Sequence, residues 1–77
     1  MKQQKKIMSQ DDLILVIKEM RQMQKVTQEQ IAEFSGLHRN GISKLERGES
    51  DPKLSTLLNI LSLLGARLIV EMPENGK

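Results

Sequence analysis

The sequence predicts a mainly α-helical domain of four to five short helices followed by one C-terminal β-strand. Apolar residues recur at helical spacing along most of the chain, and three of the apolar stretches end at a glycine. The run ARLIVEM, residues 66–72, follows the last of these glycines and alternates imperfectly, which favours a strand. With 77 residues the chain has room for a single core, because small chains bury a smaller fraction of their surface.

The N-terminal residues 1–8 are polar and basic, and we expect them to form a flexible arm. Ser9 has the side chain of an N-cap, and Asp11 and Asp12 follow in the first turn, where the helix dipole favours acidic groups. The sequence therefore predicts a first helix from this point. Its expected apolar stripe consists of Leu13, Ile14, Val16, Ile17, Met20 and Met23.

The segment TQEQIAEFSG, residues 27–36, predicts a second helix with a complete start signal. Thr27 and Gln30 have the spacing of a capping box, in which each side chain accepts a hydrogen bond from the other residue's backbone N–H. This helix is expected to run to about Phe34. Gly36 then allows the left-handed backbone that many helices need at their C-terminal end.

A third helix is predicted over about 38–46 and a fourth over about 54–64. In the third helix Ile42 and Leu45 are spaced i, i+3 and are expected to be buried. The apolar residues of the fourth helix, expected to be mostly buried, are Leu57, Leu58, Ile60, Leu61 and Leu64. The predicted organisation is an arm over 1–8, a helical domain over 9–65, a strand over 66–72 and a tail over 73–77.

The segments TQEQIAEFSG, ISKLERGES and DPKLSTLLNILSLLG together resemble the Cro and phage-repressor class of helix-turn-helix domains, often called XRE-type. The resemblance covers about residues 11–65. It implies a lambda-repressor-like fold whose third helix enters the major groove of DNA. The alternative is a generic helical hairpin with a solvated polar face.

The chemistry of the third helix suits direct reading of bases. Arg39 can donate two hydrogen bonds to guanine O6 and N7, and Asn40 can pair in the same bidentate way with adenine. For Gln28 the family resemblance implies a contact with a DNA phosphate. The full set of predicted DNA contacts is Gln28, His38, Arg39, Asn40, Ser43, Lys44 and Arg47.

The resemblance also implies an ion pair between Arg21 and Glu46 that ties the first helix to the end of the third. Gly41 lies inside the predicted third helix, where glycine is unfavourable because it costs about 0.8–1 kcal/mol relative to alanine. Two explanations stay open for this glycine. The backbone approaches DNA closely there, or the helix is partly frayed until DNA orders it.

The predicted strand bears on assembly. A lone strand in a helical chain has unpaired backbone groups that invite another chain, and a symmetric homodimer would pair the strand with its own copy. The residues expected to form this contact are Leu68, Ile69 and Val70. A disordered apolar tail is the alternative. A dimer would also supply two reading helices for a palindromic operator.

A C-terminal strand after this kind of domain resembles HipB-type antitoxins of bacterial toxin–antitoxin operons. That resemblance implies a repressor of its own operon that also neutralises a HipA-type kinase toxin. A solitary XRE-type regulator without a toxin partner is the alternative function. Both functions imply a bacterial cytoplasmic protein that joins the nucleoid when it is bound to its operator.

Composition argues against an enzyme and against a membrane protein. The chain has one histidine and no cysteine or tyrosine, which leaves no plausible catalytic constellation and no thiolate metal site, so we expect neither a metal nor a cofactor. No apolar run approaches the roughly 18 residues that span a bilayer. The formal net charge of +2 is by itself a weak signal for nucleic acid.

Overall fold

Four helices account for the regular structure of residues 3–74, the part of the chain that the computed structural model describes. They are α1 (Gln10–Met23), α2 (Gln28–Ser35), α3 (Arg39–Glu46) and α4 (Leu54–Leu63). This confirms the mainly α-helical prediction. Apart from the end of α1, for which no boundary was predicted, the helix boundaries differ from the predicted ones by at most one residue. No helix within residues 3–74 has the length and apolarity needed to cross a membrane.

The first two helices begin at side-chain caps. Ser9 Oγ accepts a hydrogen bond from the Asp12 backbone N–H at 3.1 Å. Thr27 Oγ1 accepts from the Gln30 N–H at 3.0 Å, and Gln30 Oε1 accepts from the Thr27 N–H at 2.8 Å. The capping box is therefore formed as the sequence predicts. It satisfies two backbone donors that would otherwise lack a partner.

Each helix is followed by a residue with a left-handed backbone conformation, and three of these four residues are glycines. Gly36, Gly48 and Gly65 have φ values of 78°, 73° and 77° and follow α2, α3 and α4. The end of α1 instead places Lys25 in this conformation, with φ 58°. The Lys25 N–H donates to the Gln22 carbonyl and the Val26 N–H to the Arg21 carbonyl, each at 3.0 Å, which is a Schellman motif.

The core lies where the four helices meet. Helix α2 packs against α3 and α4, and α1 packs against α3. Gln24 Nε2 also donates to the Leu64 carbonyl at 2.7 Å, which joins the end of α1 to the end of α4. The buried residues are Leu13, Ile14, Ile17, Ile31, Ala32, Ile42, Leu45, Leu57, Ile60, Leu61 and Leu64.

Two residues assigned to the core from the sequence are exposed. Met23 has an exposed fraction of 77% and Leu58 of 42%. Met23 is the last residue of α1, where the chain turns away from the core. Leu58 lies on the side of α4 that no other helix covers, because the buried residues Leu57 and Leu61 face the core. The helical period identified both helices but overestimated the width of their buried faces.

The C-terminal segment contains no strand in the single chain described over residues 3–74. Ala66 packs partly against the core, and its N–H donates to the Leu61 carbonyl at 2.8 Å. Beyond it Leu68, Ile69 and Val70 are exposed by 42%, 68% and 79%. A strand that pairs with a second copy of the chain has no pairing partner in a single copy. The strand prediction is therefore not met by the isolated fold.

The N-terminal arm is exposed over residues 3–6, and Ile7 then packs against the edge of the core. The Met8 N–H donates to Asp12 Oδ2 at 2.9 Å. The arm's first two residues and residues 75–77 of the predicted tail lie outside the described part of the chain.

Candidate nucleic-acid interface

Helix α3 has one buried side and one exposed side. Ile42 and Leu45 are almost completely buried, with exposed fractions of 1% and 2%. Arg39, Asn40 and Lys44 are exposed on the same helix. The core therefore fixes the rotation of α3 about its axis, and that rotation directs long polar side chains to solvent.

The first turn of α3 lacks a side-chain cap. His38 is the N-cap residue, with an extended backbone, but its side chain makes no capping hydrogen bond. Imidazole is not among the preferred N-cap side chains, which are short and carry an oxygen acceptor. Because His38 is the N-cap, the helix itself starts at Arg39, one residue later than the sequence predicted. His38 is exposed, beside the other first-turn side chains.

The fold leaves room at Gly41 for a larger residue. A Cβ atom built there would meet the Leu37 Cβ at 4.0 Å and nothing closer, apart from its own helix. Its backbone also has no positive φ value. Packing within the chain therefore gives no reason for glycine at this position.

The C-terminal end of α3 is held by an ion pair. Arg21 Nε and Nη2 both donate to the Glu46 carboxylate, the latter at 3.0 Å, and Arg21 Nη1 donates to the Val26 carbonyl at 2.8 Å. The two side chains have exposed fractions of 12% and 2%. Arg21 thus links α1, the turn after it and the end of α3.

Gln28 joins the same network. Its Nε2 donates to Glu46 Oε1 at 3.0 Å, so the first residue of α2 is bonded to the last residue of α3. Sequence reasoning did not identify this contact. The two residues are 18 positions apart, and a glutamine that begins a helix carries no mark of its distant partner.

Arg47 lies just beyond α3 and is engaged by neighbouring side chains. Its guanidinium donates to both oxygens of Glu49 and to Ser43 Oγ. The hydrogen bond from Arg47 lowers the pKa of the Glu49 carboxyl, and the same bond raises the pKa of Arg47. Because the pair is exposed, water and salt screen it strongly.

Two of the predicted DNA contacts meet at a shallow cleft formed by the end of α1, the turn after it and the starts of α2 and α3. The cleft has a volume of about 610 Å³ and is open to solvent. Gln28 and Arg39 both line it, although they are on different helices. The other lining residues are Arg21, Gln22, Lys25, Val26, Thr27 and Glu29. By contrast, Ser43 and Arg47 interact with each other near the opposite end of α3.

Comparison with known proteins places this arrangement in a family. A helix-turn-helix family model matches residues 17–69. The chain is 42% identical over 60 residues to control protein C.SmaI of Serratia marcescens, a match that covers 78% of this chain and 71% of that protein. An uncharacterised HTH-type transcriptional regulator of Haemophilus influenzae is 35% identical over 60 residues. That match covers 74% of this chain and only 61% of the Haemophilus protein.

Two solved structures share the fold. A complex of a HipB variant with an O2 20mer superposes with a TM-score of 0.79 at 28% identity, covering 88% of this chain and 94% of HipB. A structure described as MDT Protein gives a TM-score of 0.77, also at 28% identity, with 87% and 94% covered. Both likenesses extend over nearly the whole of the neighbouring chain.

The family match spans most of the four-helix domain, including the exposed α3, the core behind it and the ion pair at its end. Of the two matched relatives, one is a transcriptional regulator and the other is a control protein. This chain belongs to the XRE-type helix-turn-helix family of DNA-binding transcriptional regulators, with a HipB-like fold.

Proposed function

We propose that this chain is a sequence-specific repressor that binds a palindromic operator as a homodimer. The observation that carries the proposal is the division of α3. Its buried side is fixed by Ile42, Leu45 and the Glu46 ion pair, while its first turn projects Arg39 and Asn40 into solvent. Recognition helices of this class contact base edges with their N-terminal residues.

In the proposed complex Arg39 and Asn40 read bases, and the remaining residues position the helix. Arg39 suits guanine and Asn40 suits adenine, because each presents a matching bidentate set of donors and acceptors. His38, Ser43 and Lys44 reach bases or phosphates nearby. The absence of a side chain at Gly41 would let the backbone of the first turn approach the DNA closely; a frayed first turn that DNA orders is the alternative.

Gln28 and Arg47 are proposed to contact phosphates at the two sides of this helix. The Gln28 amide nitrogen carries two protons, and Glu46 uses one of them, so the second is available to a phosphate oxygen. Arg47 has to leave Glu49 or share its guanidinium between the carboxylate and the DNA. This exchange costs little free energy, because exposed ion pairs contribute little to stability.

Binding to a randomised operator library tests the reading residues. Arg39→Ala should weaken binding to the selected site by about 1–3 kcal/mol and relax the preference at one base pair. Arg47→Ala should weaken binding to all sequences and reduce the salt dependence of the affinity. If Arg39→Ala leaves every base preference intact, the proposed register of α3 in the groove is wrong.

The homodimer is proposed to form through residues 66–72. Leu68, Ile69 and Val70 are consecutive, apolar and exposed, and their backbone groups have no ladder partner in the described chain. Such a segment is a template for pairing with another strand, and a second copy of the chain supplies one.

Sedimentation of the full chain and of a chain truncated after Ala66 tests the dimer. Truncation there retains the Ala66 N–H that closes the end of α4, so the core remains intact. We expect a dimer for the full chain at micromolar concentration and a monomer for the truncated one. A full chain that sediments as a monomer overturns the assembly.

We further propose that the chain is the antitoxin of a HipBA-type operon, which represses that operon and neutralises a kinase toxin. The support is the HipB likeness, which covers 94% of HipB. A solitary XRE-type regulator is the second candidate, favoured by the identity to control protein C.SmaI. Co-purification from the native cell, with identification of bound protein and DNA, separates them. A kinase in the complex supports the antitoxin, and DNA alone supports the solitary regulator.

A further inference from the structure

Lys25 occupies a backbone position that favours glycine. Its φ of 58° places it in the left-handed region, and it is the sole non-glycine residue there among residues 3–74. A side chain with a Cβ atom is disfavoured in this conformation. The same position after α3 and after α4 is glycine, at Gly48 and Gly65. The lysine at the end of α1 therefore has a conformational cost.

Lys25 lines the cleft formed by the end of α1, the turn after it and the starts of α2 and α3. Gln28 and Arg39, two of the proposed DNA contacts, line the same cleft from α2 and α3. If Arg39 lies in the major groove, the sugar–phosphate backbone that borders the groove must pass beside it. Because Arg39 also lines the cleft, that backbone would pass close to the cleft.

The charge of the cleft suits one anionic group. Its charged lining residues are Arg21, Lys25, Arg39 and Glu29. Arg21 is already paired with Glu46, whereas the ion pairs found among residues 3–74 include neither Lys25 nor Arg39. Two cations thus face one carboxylate, Glu29, and the cleft has a net positive charge at neutral pH.

We propose that Lys25 contacts a phosphate of the DNA backbone in this cleft, and that this contact is the reason for a lysine in a left-handed position. The proposal rests on the proposed binding of α3 to DNA and adds a residue to that interface. Lys25 acts without regard to base sequence, because a phosphate is the same at every nucleotide.

Three substitutions at one position separate charge from backbone conformation. Lys25→Gly removes the charge and the strain, Lys25→Gln removes only the charge, and Lys25→Arg keeps both. Each variant is titrated with a mixed-sequence 20-base-pair duplex over a range of salt concentrations, and its Tm is measured without DNA. Loss of one phosphate contact should lower the salt slope by about 0.9 and the affinity at 0.1 M salt by roughly five- to tenfold.

The expected pattern is specific to a phosphate contact. Lys25→Gly and Lys25→Gln should both bind more weakly, Lys25→Arg should bind as the unaltered chain does, and Lys25→Gly alone should have a raised Tm. A merely structural lysine would instead make the more stable Lys25→Gly variant bind at least as well. Glu29→Gln should strengthen binding, because it removes the carboxylate that faces the phosphate.

The outcomes distinguish this proposal from the proposed function. If the unaltered chain binds no duplex at low salt, the proposed function fails and the lysine contact fails with it. If the unaltered chain binds while Lys25→Gly and Lys25→Gln keep its salt slope and affinity, only the lysine contact is overturned.

Discussion

Helices α2 and α3 have the same length but are held in place by different means. Helix α2 begins with a capping box whose two hydrogen bonds form between residues three positions apart. Helix α3 begins at His38 without any side-chain cap and contains Gly41. It is held instead by two buried side chains and by Glu46, which bonds residues of α1 and α2. Local interactions therefore define the supporting helix, and tertiary interactions define the helix proposed to read DNA.

Within residues 3–74, the side chains in the first turn of α3 consequently make no hydrogen bond to the rest of the fold. Capping side chains would occupy the space and the donors at the point where α3 is proposed to meet DNA. A turn without caps keeps its side chains and backbone groups available for a partner, but it is locally less stable. The buried side chains of α3 and the ion pair at its C-terminal end offset this loss of stability.

The largest expected effect comes from removing the core contact of α3. Leu45→Ala should lower the free energy of unfolding by about 3–5 kcal/mol, the upper part of the usual range, because Leu45 is almost fully buried. Phe34→Ala is the control on α2, since Phe34 is 69% exposed and should change the stability by less than about 0.5 kcal/mol. Urea denaturation followed by circular dichroism measures both. Equal losses would show that α3 is not anchored as described.

The next effect concerns the ion pair at the end of α3. Glu46→Ala leaves Arg21 and Gln28 without their acceptor and should cost about 2–3 kcal/mol. The double change Arg21→Met with Glu46→Leu should recover much of this loss, because no unpaired charge is left in the interior. Denaturation midpoints of the two variants test this. A double variant less stable than Glu46→Ala would contradict the explanation.

A smaller effect should separate the two helix starts directly. Thr27→Ala breaks the capping box of α2 and should cost about 1 kcal/mol. His38→Ala removes no capping bond from α3 and should stay within about 0.5 kcal/mol of the unaltered chain. Thermal unfolding of the pair gives the comparison. A loss at His38 equal to that at Thr27 would reveal a capping role that the structure does not contain.

The smallest effect is a gain within the first turn of α3. Gly41→Ala should stabilise the chain by about 0.8–1 kcal/mol, because the added Cβ meets nothing closer than 4.0 Å outside its own helix. Operator binding by the same variant decides why glycine is there. Weaker binding indicates that DNA approaches the backbone closely, and tighter binding indicates a frayed turn that alanine orders. A loss of stability would contradict the packing at this site.

The local features of this protein could be predicted from sequence. The cap at Ser9, the capping box at Thr27 and the glycine exits of α2, α3 and α4 all depend on residues a few positions apart. The buried pair of α3 follows from helical periodicity. Together they defined α2, α3, α4 and the start of α1 to within one residue, and they indicated the face of α3 that carries Arg39 and Asn40.

Contacts between distant residues required the tertiary structure. The contact of Gln28 with Glu46 joins residues 18 positions apart. The cleft shared by Lys25 and Arg39 forms only when the end of α1 and the start of α2 lie beside the start of α3. The exposure of Met23 and Leu58 likewise depends on which helices cover them. Periodicity in a sequence reports that a helix has an apolar face, but the width of the buried part is set by the neighbours that pack against it.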